Sequence, residues 1–99
     1  MIIFLERKAF AAKISERIDQ LYEGRSRLRK TFIIFDPAEK AWWVRIEVKE
    51  KGGHLEYDQT YILALNRRKH RKTYKSLDDA VTFLMESGVK RIVIDIPSE

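Results

Sequence analysis

The sequence predicts an α+β fold: an antiparallel sheet of about four strands with two helices packed on one face, in the order α-β-β-β-α-β. Three observations carry that expectation. Residues 42–49 alternate strictly between apolar and polar or aromatic positions, the period of a half-buried strand. Gly52-Gly53 punctuates the chain directly after that run, where a hairpin turn needs positive φ. Two other stretches, near the start and near the end, repeat their apolar residues at three- and four-residue steps.

The first of these stretches is Ile3, Arg7, Phe10, Ala11, Ile14, Ile18 and Leu21, with Glu6, Lys13, Glu16, Arg17, Asp19 and Gln20 between them. It predicts an amphipathic helix from about residue 2 to 22, stopped by Gly24. Its polar face mixes both signs, which favours docking on a sheet over lying on a lipid surface. Phe32-Ile33-Ile34-Phe35 is too apolar for a surface loop and predicts a strand over residues 28–35. Residues 36–40 (Asp-Pro-Ala-Glu-Lys) form a turn, because proline fixes its own backbone and disfavours helix at Asp36. In the next strand Trp42, Val44, Ile46 and Val48 point one way, and Trp43, Arg45, Glu47 and Lys49 the other. Trp42 is expected inside, leaving Trp43 outside unless a helix or a partner subunit covers it.

Leu55, Tyr57, Tyr61, Leu63 and Leu65 mark a third strand, broken on that face by Gln59. Ser76-x-x-Asp79 has the spacing of a capping box with Asp in place of Glu, and Asp78 and Asp79 suit a helix N-terminus. Leu77, Ala80, Val81, Phe83, Leu84 and Met85 supply that helix's apolar face, and Gly88 ends it. A last strand over residues 89–96 places Ile92, Ile94 and Ile96 on one side, with Pro97 as terminator. Residues 71–74 allow either a loop or a short strand; as a strand they would make residues 66–69 the tip of a hairpin.

Ninety-nine residues, 44% of them hydrophobic, suffice for one domain with a real core. The chain has no cysteine, which removes disulfides and thiolate chemistry and fits a cytoplasmic location. No apolar run approaches the length of a spanning helix, and the opening five apolar residues are too few for a secretory signal. No membrane association is therefore expected.

The net charge of +5 is unevenly spread. Residues 66–75 hold six cations (Arg67, Arg68, Lys69, Arg71, Lys72, Lys75) with His70 and Tyr74, and no acid. Residues 25–30 hold four more (Arg25, Arg27, Arg29, Lys30), again with no acid. The rest of the chain has ten basic against fifteen acidic residues. An otherwise acidic body thus carries two basic segments.

Enzymatic signals are weak. No glycine-rich phosphate loop is present, and His54 and His70 sit in separate turns without metal-pair spacing. Glu56 and Asp58 share one side of a strand, as solvated strand faces routinely provide. No catalytic set, metal site or cofactor is expected. Two acid-free basic segments with nearby aromatics do meet the needs of phosphate and base recognition: cations to displace counterions, rings to stack. The candidate nucleic-acid-binding residues are Arg67, Arg68, Lys69, Arg71, Lys72, Lys75, Tyr74, Arg25, Arg27, Arg29, Lys30 and Trp43. The plain alternative is a solvated, solubilising loop.

Three strands followed by a helix, with Tyr74-x-Ser76-x-x-Asp79-Ala80 at the junction, resembles in order the small DNA-binding domains that lay a three-stranded sheet in the major groove. The α-β-β-β-α order is also similar to that of double-stranded-RNA-binding domains. Those carry lysines at the start of the second helix, where this chain has Asp78 and Asp79. These are likenesses of order alone and assign no family. Two functions remain in competition: a non-catalytic module binding DNA or RNA, and a protein-interaction module docking on an acidic partner, as small phage and plasmid accessory proteins do. Homodimerisation through an open strand edge or through Trp43 fits either.

Overall fold

The computed structural model describes residues 2–19, 28–65 and 70–97, without the side chains of residues 17–19, 28, 29 and 51. Its elements run β1 (Ile2–Glu6), α1 (Arg7–Asp19), β2 (Leu28–Asp36), β3 (Ala41–Gly52), β4 (Leu55–Ala64), β5 (Thr73–Tyr74), α2 (Leu77–Glu86) and β6 (Val93–Asp95). They form an α+β fold around a six-stranded sheet of order β1-β4-β3-β2-β6, with β5 pairing β3 outside that path.

The meander β2-β3-β4 is antiparallel, as the sequence predicts. The sheet as a whole is mixed. β1 lies parallel to β4, with Phe4 opposite Ile62, and β6 lies parallel to β2, with Ile33 opposite Ile94. The expected first helix is the larger correction, because residues 2–6 are a strand and the helix starts only at Arg7. Ile2-Ile3-Phe4-Leu5 is too short for period to decide its state. β-Branched and aromatic residues favour a strand once β4 offers an open edge. Leu21 and the proposed stop at Gly24 lie outside the described residues.

One core cluster joins both helices to one sheet face: Phe10 and Ile14 of α1, Ala80, Phe83 and Leu84 of α2, and Ile33, Val44, Ile46, Val48, Tyr61 and Leu63 of the strands. Phe10 and Phe83 bring the helices together with ring centroids 6.0 Å apart. Both helices therefore cover the same face, and Trp42 packs against that core as its alternation requires. Gln59 is 5% exposed on that side, and its side-chain amide donates to the Thr60 carbonyl at 3.2 Å.

The turn after β2 closes on Asp36, whose Oδ1 accepts from the Ala38 and Glu39 amides at 2.9 and 3.4 Å. Ser76 occupies the N-cap of α2 with extended backbone, but its hydroxyl makes no capping bond. The capping box is therefore formed in position only, and Asp78 and Asp79 supply the favourable first-turn charge. At the other end Gly88 takes φ 99°, and the amides of Gly88 and Val89 donate to the carbonyls of Met85 and Leu84, each at 3.0 Å. That is a Schellman closure with Val89 buried beneath it. No described helix is long and apolar enough to cross a membrane.

Candidate nucleic-acid interface

The residues around the basic run form a hairpin. The Leu65 amide donates to the His70 carbonyl and the Lys72 amide to the Leu63 carbonyl, both at 2.8 Å. Ala64 bridges Arg71, and Thr73 and Tyr74 then pair with Trp43 and Trp42 of β3. Of the two alternatives for residues 71–74, the strand is formed. Both described arms, up to Leu65 and from His70 onward, are tied into the sheet. Arg67, Arg68 and Lys69 themselves lie outside the described residues.

The described cations of the run, Arg71, Lys72 and Lys75, are engaged. Arg71 crosses to the sheet face opposite the helices, forms an ion pair and hydrogen bond with Asp36, and sets its guanidinium 4.8 Å from the Trp43 ring centroid. Lys72 places its ammonium 5.0 Å over Tyr74. Lys75 donates to the Glu39 carbonyl at 3.3 Å. Tyr74 faces the core, stacked on Phe83 with centroids 6.4 Å apart. Burial pushes its phenol above the usual tyrosine range; the Arg7 charge works against that shift and the Asp79 charge adds to it. A ring so placed packs α2 before it can stack on a base.

The second basic segment does not join the first within the described residues. Arg25 and Arg27 lie outside them, as does the side chain of Arg29. Lys30 is exposed opposite Glu47, on the flank of β3 occupied by β2. β5 lies on the other flank, four residues along β3 at Trp43. Strand spacings put the two places on the order of 15 Å apart.

The sheet face away from the helices holds a feature that residue pattern alone did not reveal. Trp43 lies there, as expected, next to Ile34 and Arg45. Arg45 lays its guanidinium 4.5 Å over Phe32, directly across the β2-β3 pair, and reaches Glu47 at 3.9 Å. Ile34 and Ile62 on this face are only 6% and 8% exposed. Lys49 pairs with Glu56 at 3.6 Å, so one of the two carboxylates noted on β4 is held by a cation. The four-residue turn between Asp36 and Ala41 sets the register that places Phe32 opposite Arg45. Counting outward from that turn would have found the pair.

Among the described residues no group of three or more His, Cys, Asp or Glu side chains is placed to hold a metal. The chain matches no protein-family model, no curated protein and no solved structure.

Proposed function

We propose that the protein is a small non-catalytic nucleic-acid-binding module that contacts phosphate through residues 67–69, which follow β4 and precede β5 in the sequence. The observation that carries this reading is the hydrogen-bonded pair of arms flanking residues 66–69. Flanks already held by hydrogen bonds have less conformational entropy to lose on binding than a wholly free segment. Arg71, Lys72 and Lys75 act below them as supports for the hairpin. Arg25, Arg27, Arg29 and Lys30 are proposed to assist as an auxiliary group. Such contacts position a nucleic acid without reading its sequence.

Fluorescence-anisotropy titrations of duplex DNA, single-stranded DNA and RNA at two salt concentrations test this. Binding that weakens steeply with salt supports the reading. Absence of binding at low salt to all three removes it.

A second reading, a protein-interaction module, is favoured by the sheet face away from the helices. Lys30, Arg45 and Lys49 there are interspersed with Glu47, Glu56 and Asp58 around Phe32 and Trp43. Mixed charge around aromatic residues suits a protein surface better than a phosphate backbone. Phe32→Ser, away from the hairpin, would impair a protein complex and leave phosphate binding by residues 67–69 intact.

A further inference from the structure

Among the described residues β6 is a terminal strand of the sheet and pairs only with β2. It carries an unusual amount of exposed apolar surface for an edge: Val93 and Ile94 are each 47% exposed and Ile96 65%. An open edge presents unpaired backbone donors and acceptors to any incoming strand. Its flanking charges restrict what can pair. Residues 91–95 read Arg-Ile-Val-Ile-Asp, and Arg91 and Asp95 are both exposed. An antiparallel copy centred on Val93 sets Arg91 against Asp95, Ile92 against Ile94, and Val93 against itself. Both ends of that ladder then carry an opposite-charge cross-strand pair.

We infer that two copies of this chain join along β6, antiparallel about a two-fold axis at Val93, continuing the sheet from one subunit into the next. The contact is isologous: each copy offers the same five residues and receives the same five. Ile92 already packs on the core cluster on the helix side, so the opposing Ile94 extends that apolar layer across the axis. Val93 lies on the other face, opposite Phe32 in the register with β2, and meets its own counterpart there. Asp95, which would repel a strand lacking a matching cation, selects this chain as its own partner. β1, at the opposite edge of the sheet, lacks this match, since self-pairing about Phe4 sets Glu6 against Ile2.

Sedimentation equilibrium of the full chain and of charge-reversed variants tests the register. The wild-type chain dimerises. Arg91→Asp and Asp95→Arg each put like charges across both ends and raise the dimer dissociation constant by about tenfold or more, while circular dichroism stays unchanged. The double variant R91D/D95R restores the dimer, and mixing the two single variants yields a heterodimer. In the wild-type protein, exchange of the β6 amides directed away from β2 slows as concentration rises, a readout that needs no variant. A monomer at several hundred micromolar, a dimer indifferent to single reversal, or failure of the double variant to restore it would each overturn the proposal.

Discussion

Arg71 shows how a residue from a basic run becomes part of the framework. Its guanidinium spans the Asp36 carboxylate and the Trp43 ring, tying the hairpin to the turn after β2. Partial burial of Asp36 lowers solvent screening of the pair, and the ring adds a cation–π contribution. Arg71→Ala should therefore cost about 1 kcal/mol of stability in urea unfolding; a variant as stable as wild type would show the interaction to be incidental. Tyr74 makes a pH-dependent contribution of determined sign. Its folded-state pKa is raised by burial, so the unfolded chain loses this proton first once pH climbs past about 10. The contribution is intact below that value and is lost as pH rises through the folded-state value. Tyr74→Phe should keep more of its neutral-pH stability at alkaline pH than wild type does, as thermal melts across pH 9–12 would report.

The elements differ in how far the sequence disclosed them. The β3 alternation and Gly52-Gly53 located the central hairpin, and Trp42 and Trp43 separated to the two faces as their adjacency demands. β1 was hidden because four apolar residues abutting a helical period extend that period smoothly, and only the open edge of β4 decides otherwise. Parallel pairing of β6 was equally hidden, since a short apolar run says nothing of its neighbour's direction. Ser76 shows that a capping pattern can place a residue at the N-cap without forming its bond. The C-terminal closure of α2 is sharper. With Gly88 at φ 99°, Gly88→Ala should destabilise the fold by about 1 kcal/mol, the usual cost of a Cβ in left-handed backbone. Chemical denaturation giving wild-type stability would contradict that.

At the scale of the whole molecule, charge and topology divide the surface. An acidic remainder carries cations concentrated in two segments, and the sheet keeps their described parts apart, on opposite flanks of β3. The sequence made the excess of charge plain, but not which cations are engaged, because Asp36, Glu39 and Trp43 meet the run only through tertiary contacts. Phosphate binding by residues 67–69, as proposed above, has a direct test. The direct measurement is the salt dependence of duplex DNA binding by R67A/R68A/K69A beside wild type, with Arg71→Ala as the framework control. The triple variant should bind more weakly, with a log–log salt slope shallower by roughly 0.9 for each phosphate it no longer neutralises, and the control should keep the wild-type slope. A triple variant with wild-type affinity and slope would contradict the claim.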